Sequence, residues 1–188
     1  MATGPGGTLD YGYDAVGNRT AKVLSVGASV ATDTYLYGAS DNRLAQVTEA
    51  GGHARTFTYD AAGNITYDNR TGGGYGYRYN AAGRMADMSV NGVMQAEYIY
   101  KAQGQQVVRR LTTAGQTIHS VHGLAGNRIA EYDYDPSTQA TTLLREYIWM
   151  DGTAIGVVEG GVLYFVRTDW IGHPVLGSHG LGKGFGTY

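Results

Sequence analysis

The sequence predicts an all-β chain built as an array of antiparallel hairpins, and three observations predict it. Thirty glycines and sixteen tyrosines stand against three phenylalanines and three prolines in 188 residues. Aromatic rings with a polar tip suit sheet faces that meet water, and abundant glycine suits frequent turns. The segment Thr56 to Asp68, TFTYDAAGNITYD, alternates in the manner of two half-buried strands about a tight turn. Related segments then recur every 20 to 25 residues along the chain. That period holds two strands of roughly 6 to 8 residues and two turns, and is too short for a helix-pair repeat.

Within the best copy, Phe57 and Tyr59 alternate with Thr56 and Thr58, and Asp60-Ala61-Ala62-Gly63 carries turn chemistry. Asp60 is placed to accept from backbone amides ahead of it, and Gly63 adopts positive φ without a steric cost. Asn64 to Tyr67 resume the alternation, so the segment reads as a hairpin with a type I turn closed by a glycine bulge.

Taken in order, the copies are YDAVGNRT from Tyr13, YGASDNRL from Tyr37, YDAAGNIT from Tyr59, YNAAGRMA from Tyr79 and YKAQGQQV from Tyr100. Fainter copies are HGLAGNRI from His122, YIWMDGTA from Tyr147 and TDWIGHPV from Thr168. The expected turn positions are Gly17, Asp41, Gly63, Gly83, Gly104, Gly126, Asp151 and Gly172, flanked by Asp14, Asn18, Asn64, Asn127, Asp169 and Pro174. Between them lie connecting turns at Gly27, Gly51-Gly52, Gly72 to Gly74, Asn91-Gly92, Ala114-Gly115 and Gly160-Gly161. Asn91-Gly92 is the strongest two-residue hairpin signal. No linker or composition shift interrupts the period, so residues 8 to 176 are expected to be one repeat domain of about eight hairpins. Residues 1 to 7 and the glycine-rich segment 177 to 188 lack strand patterning and are expected to be flexible.

The tyrosines at i, i+2 spacing, such as Tyr75, Tyr77 and Tyr79, should form ladders on one sheet face. The formal net charge is −2 and the 11 arginines are scattered, which excludes the basic stripe that nucleic acid requires. There is no cysteine, hence neither disulfide nor thiolate chemistry. No apolar run reaches bilayer-spanning length, and the opening MATGPGGTLD has neither the basic nor the apolar region of an export signal.

Catalytic and cofactor chemistry is not expected. Asp14 and Asp60 occupy the same place in repeated turns, which argues for capping rather than an acid–base pair. His119 and His122 are three residues apart without a second ligand pair, and His53, His173 and His179 are scattered, so no metal is expected. The run Gly177 to Gly184 approaches a phosphate-binding loop, but Gly184 stands where Ser or Thr would hold magnesium, and no helix can follow. Asn18, Asn64 and Asn69 open Asn-X-Thr triplets, of which the first two are repeat-turn positions.

The Tyr-Asp-X-X-Gly-Asn-apolar pattern resembles the YD repeat of the Rhs proteins, a family that includes toxin-complex subunits and the shell region of teneurins. TDWIGHPVL, Thr168 to Leu176, is similar to that family's late signature. Asp169, Gly172 and Pro174 are retained; Trp170 stands where His is usual and Ile171 where Leu is usual. The resemblance implies a curved, twisted sheet like a section of a hollow shell that encloses a C-terminal toxin or other polypeptide, delivered to the cell surface or outside as part of a larger protein. About eight repeats cannot close such a shell, so a short or truncated member is expected. Asp135-Pro136 is followed by Ser137-Thr138 and precedes the late signature, so the family's self-cleavage is not carried over to it.

The function expected from this reading is a non-enzymatic structural module whose partner is a protein cargo or a neighbouring shell segment. The rival is a carbohydrate-binding or adhesive surface using the tyrosine ladders. A free strand edge is expected at each end, the first near Leu9 to Tyr13. The last, Val162, Leu163, Tyr164, Phe165 and Val166, carries no charge and has the profile of a strand that pairs with another copy or partner.

Overall fold

The computed structural model describes residues 2–4, 6–169, 174–178 and 184–185. Among these no residue is helical, and the strands follow one another as antiparallel hairpins. The chain divides into two compact units, 1–94 and 95–188.

The first unit contains β1 (Ala2–Gly4), β2 (Gly7–Tyr13), β3 (Arg19–Val26), β4 (Ser29–Tyr37), β5 (Leu44–Thr48), β6 (Ala54–Tyr59), β7 (Ile65–Arg70), β8 (Gly73–Tyr79) and β9 (Met85–Val90). Strand β10 (Val93–Tyr100) leads into the second unit. There follow β11 (Gln106–Leu111), β12 (Gln116–His122), β13 (Arg128–Asp135), β14 (Ala140–Met150), β15 (Thr153–Glu159), β16 (Val162–Thr168), β17 (Pro174–Ser178) and β18 (Gly184–Phe185). Within each unit a strand pairs with its neighbour in sequence, because every connection is too short to reach further.

The turn chemistry behaves as its residues dictate. In the tip at 60–64, the Asp60 amide donates to the Asn64 carbonyl at 2.9 Å and the Gly63 amide to the Asp60 carbonyl at 3.1 Å. The carboxylate accepts from the Asn64 amide and side-chain Nδ2, each at 2.9 Å. The same backbone pair of bonds closes the tips at 14–18, 80–84, 101–105 and 123–127. Gly17, Gly63, Gly83, Gly104 and Gly126 all have positive φ, from 71° to 93°. The ladder slips by a bulge just before the residue that opens each tip, at Tyr13, Tyr59, Tyr79, Tyr100 and His122.

Two expected tips differ. The loop between β4 and β5 has one residue more and closes through a Gly38 amide to Arg43 carbonyl bond at 2.9 Å, with Asp41 Oδ1 accepting from the Arg43 amide at 3.1 Å. Asp151 is not a five-residue tip: Asp151 and Gly152, at φ 49° and 78°, form a two-residue turn like Asn91-Gly92 at 51° and 78°. Paired positive φ values are the geometry that matches strand twist in a short hairpin. Gly172 lies outside the described residues, as do Trp170, Ile171 and His173 of the late signature.

The tyrosine that opens a tip also ties one repeat to the last. Tyr37 donates its hydroxyl to the Arg19 carbonyl at 3.0 Å, Tyr59 to Leu44 at 2.8 Å and Tyr79 to Ile65 at 3.0 Å. Each accepting residue is the one paired with the bulged tyrosine of the preceding repeat, Tyr13, Tyr37 and Tyr59. In the second unit Trp149 takes the role, its indole Nε1–H donating to the Arg128 carbonyl at 2.7 Å, and Arg128 is paired with His122.

Part of each edge expected to be open carries a further strand, at Leu9 of the first and at Phe165 and Val166 of the last. Residues 1–7, expected to be flexible, contribute β1, which pairs Ala2 with Leu9 and Gly4 with Gly7. Gly7 allows the reversal at φ 110°. At the other end β16 is not the last strand. Phe165 and Val166 pair with Ser178 and Gly177 of β17, so the expected open edge at Val162–Val166 is corrected at Phe165 and Val166. Proline is tolerated as the first residue of β17, where its missing N–H matters least.

Few side chains are fully buried. Among the described residues the buried apolar ones are Val47 in the first unit and Ala96, Ile118, Ala130 and Val157 in the second, and no large side chain is completely enclosed. Among strands β1–β9 and β11–β18, contacts run between chain neighbours apart from β15 with β17. Stability in such a sheet comes from the ladder, the repeat bonds and cross-strand pairs more than from a core.

Two variants test this account. Tyr59→Phe should lose about 0.5–1.5 kcal/mol of unfolding free energy in urea, the usual worth of one hydrogen bond, while Tyr67→Phe, whose ring overlies Gly74, should lose less. Gly63→Val should cost about 1–2 kcal/mol from left-handed backbone strain. Asp60→Asn should cost less, since Asn80 already holds its tip with Oδ1 accepting from the Ala82 and Arg84 amides. Equal shifts in melting temperature for Gly63→Val and Asp60→Asn would contradict the turn geometry.

Candidate functional site

Side chains spaced i, i+2 share a face, so the positions that carry the ladder aromatics also carry charge. In the first unit Arg55 and Phe57 lie on β6, Asp68 and Arg70 on β7, and Tyr75 and Tyr77 on β8, with Phe57 and Tyr75 both in register with Asp68. Asp68 is 3% exposed. Arg55 Nε donates to its Oδ1 at 2.7 Å and Nη2 to Oδ2 at 2.8 Å, and Arg70 Nε donates to Oδ2 at 2.6 Å. Burial pulls the Asp68 carboxyl upward, but the Arg55 and Arg70 guanidiniums outweigh it and hold the group below its usual 3.8.

The same arginines cover aromatic faces. Arg55 stands over Phe57 at 5.1 Å, Arg70 over Tyr75 at 4.4 Å, Arg43 over Tyr59 at 5.6 Å, and Arg19 over both Tyr11 and Tyr35 at 5.6 and 4.5 Å. Beside them is an open recess of about 660 Å³ whose polar lining includes Arg19, Lys22, Asp33, Glu49 and Arg55. Its charges are already satisfied in part: Lys22 Nζ donates to Asp33 Oδ2 at 3.0 Å.

The second unit builds a tighter cluster on Glu131, also 3% exposed. Register places Ser120, Glu131, Arg145 and Glu159 in one row across β12 to β15. Glu131 accepts from Arg128 Nη1 at 3.0 Å, from the Tyr147 hydroxyl at 2.8 Å and from Ser120 Oγ at 3.4 Å, and Arg145 Nε lies 3.6 Å away. Arg145 Nη2 donates to Glu159 at 3.1 Å. Burial, and then the bond to Glu131, raise the Tyr147 hydroxyl above its usual 10, so it stays a neutral donor. A recess of about 320 Å³ opens over this cluster, with Arg109 on one side and Val157 and Val166 on another.

None of Arg55, Asp68, Arg70, Arg128, Glu131 or Arg145 was singled out by the sequence patterns. The legible signal was their parity: Arg55-X-Phe57, Asp68-X-Arg70 and Arg145-X-Tyr147 put charge on the aromatic face. Two of the histidines are engaged elsewhere, whereas the ring Nδ1 of His122 is buried without a hydrogen-bond partner among the described residues. His119 stacks on Tyr134 with centroids 4.9 Å apart, and His53 Nε2 lies 2.8 Å from the Asn69 carbonyl. Asp135 caps its own turn, with Ser137 Oγ at 2.6 Å, the Ser137 amide at 2.8 Å and Thr138 Oγ1 at 2.9 Å; those bonds hold it at about 2. His173 and His179 lie outside the described residues, as does most of the glycine-rich run from Gly177 to Gly184. Among the described residues no three His, Cys, Asp or Glu side chains gather as a metal site requires.

With this geometry in hand, comparison with known proteins gives a class. Residues 40–73 match the RHS repeat family, so the chain carries an RHS repeat within its antiparallel hairpin array. No curated protein matches the chain in sequence. Among solved structures, a Tc holotoxin pore of Photorhabdus luminescens with a TccC3 substitution is similar over 90% of this chain and 12% of its own, at 10% identity and a TM-score of 0.45. A TcdB2-TccC3-Cdc42 structure is similar over 88% of this chain and 9% of its own, at 12% identity and a TM-score of 0.39. A TcdB2-TccC3 structure covers the same shares at 13% identity and a TM-score of 0.38. The chain therefore spans about a tenth of the length of the solved chains it resembles.

The Asp68 clamp makes stability depend on acid in a definite direction. Its carboxyl lies lower in the folded chain than its ordinary 3.8, so its contribution is complete above that value and fades as pH falls below it. Asp68→Asn should lose about 2–3 kcal/mol at pH 7, discounted because both arginines can rehydrate. Its urea midpoint should also fall less steeply than the parent's between pH 5 and pH 2. An unchanged slope would remove Asp68 from the acid response.

Proposed function

We propose that the chain is a structural wall segment, not an enzyme, which lines a compartment around a partner polypeptide or carries that polypeptide. The observation that carries the reading is the recurrence of one hydrogen-bonded unit beyond the matched RHS repeat. The tip, the bulge and the aromatic-to-carbonyl bond seen at residues 37–65 are repeated at Tyr79, and the aromatic-to-carbonyl bond recurs, with indole in place of phenol, at Trp149. A sheet built this way has little core of its own, which suits a surface that meets solvent on one side and a partner on the other. The matched RHS repeat, whose pattern resembles that of enclosing shells, supports the wall reading.

The rival reading, a carbohydrate surface, needs open aromatic faces. Arg19, Arg43, Arg55 and Arg70 already lie over Tyr11, Tyr35, Tyr59, Phe57 and Tyr75, which favours the structural role.

Protease protection tests the proposal. The polypeptide encoded beside this chain, expressed together with it, should survive trypsin for at least several times longer than when expressed alone. Equal digestion in both cases, with selective retention of the chain on a glycan array, would replace the wall reading with the carbohydrate one.

A further inference from the structure

The recess over Glu131 holds more cation than the fold uses. Arg109, Arg128 and Arg145 line it, and the carboxylates that reach them are Glu131 within the recess and Glu159 beyond it. Three guanidiniums thus meet two carboxylates. Arg109 is the unmatched one: it has no ion pair or hydrogen bond from its side chain among the described residues, and its Nε is buried without a protein acceptor. The Nε atoms of Arg128 and Arg145 are likewise buried and lack an acceptor within hydrogen-bond distance. Buried donors left unmatched are costly, and charged ones more so. Ala154, Val157 and Val166 form the apolar part of the lining, and Val157 is buried.

We propose that this recess binds a single carboxylate carried on a short apolar stem, the chemistry of an acidic side chain on a bound polypeptide. One unmatched guanidinium asks for one negative charge, and a planar fork suits a carboxylate. A free phosphate dianion would bring more charge than is unmatched and would leave the valine walls without a partner. The volume of about 320 Å³ is at the lower end of ligand pockets and fits a side chain rather than a large cofactor. Glu131 stays where it is, because Ser120, Arg128 and Tyr147 hold it, and it keeps Arg128 and Arg145 aimed at the recess. The inference stands on this cluster alone and holds whether or not the chain walls off a cargo.

The test is calorimetric titration of the whole chain with the tripeptide N-acetyl-Ala-Glu-Ala-amide and with its Gln counterpart, alongside acetate and inorganic phosphate. The Glu peptide should bind about ten- to a hundredfold more tightly than the Gln peptide, the worth of one charge-assisted hydrogen bond. It should also bind more tightly than acetate or phosphate. Arg109→Leu should abolish that preference while leaving the sheet's circular dichroism unchanged. Val166→Glu, which places a carboxylate in the recess from within, should block the peptide too and gives a second reading if Arg109→Leu fails to fold. Equal affinity for the Glu and Gln peptides, tighter binding of phosphate than of the Glu peptide, no binding at all, or full binding by both variants would each overturn the proposal.

Discussion

One hydrogen bond sets the pitch of this chain: the hydroxyl of the tyrosine that opens a tip donates to a backbone carbonyl of the preceding repeat. A five-residue tip forces a bulge into the ladder, and a bulge disturbs the regular pairing of the residues around it. The carbonyl that accepts the hydroxyl belongs to the residue opposite that bulge, so the tips at 14–18, 38–43 and 60–64 are each finished by the repeat that follows. The ring that delivers the hydroxyl lies half-buried along the sheet, and burial raises the Tyr59 and Tyr79 hydroxyls and keeps them protonated donors. Phenylalanine would fill the same space without finishing the tip, a physical reason for tyrosine at positions 37, 59 and 79. At Trp149 the indole N–H does the same work from a different ring.

The second constraint follows from building a sheet with so little core. Burying charge is unfavourable unless it is paired and hydrogen-bonded. Among the described residues Asp68 and Glu131 are more hidden than every buried apolar residue except Ala96, and each is held by two arginines. In the Asp68 clamp the aliphatic stems and guanidinium planes of those arginines also cover Phe57 and Tyr75, so one side chain both pairs the acid and shields the aromatic face. Glycine serves the same economy of space in β8: a side chain at Gly74 would collide with the Tyr67 ring, and one at Gly76 would meet Ser89 Oγ at 2.7 Å. Strand β8 can therefore read GGYGYRY without leaving holes.

The functional reading rests on the same two devices. Repetition of the tip at 80–84, 101–105 and 123–127, and of the aromatic bond at Tyr79 and Trp149, sets the matched repeat within a longer array. The arginines that cover aromatic faces in the first unit are spent on the fold. In the second unit Arg109 is not, and that difference turns a structural cluster into a candidate binding recess.

The sequence by itself determined the all-β class, the positions of the bulged tips at Gly17, Gly63, Gly83, Gly104 and Gly126, and the family resemblance. These are local: a glycine at positive φ, an Asp or Asn that caps, and alternating strands are written in adjacent residues. Only the tertiary structure decided that Asp151 sits in a two-residue turn and that β1 and β17 extend the sheet past the expected edges. Only it placed Arg145 opposite Glu131. Each of these depends on register between neighbouring strands, with partners such as Glu131 and Arg145 14 residues apart, and a one-residue change of register moves every side chain to the other face. The tyrosine ladder was visible as an i, i+2 pattern, but its purpose was not, because the carbonyl that each hydroxyl meets lies 14 to 18 residues earlier.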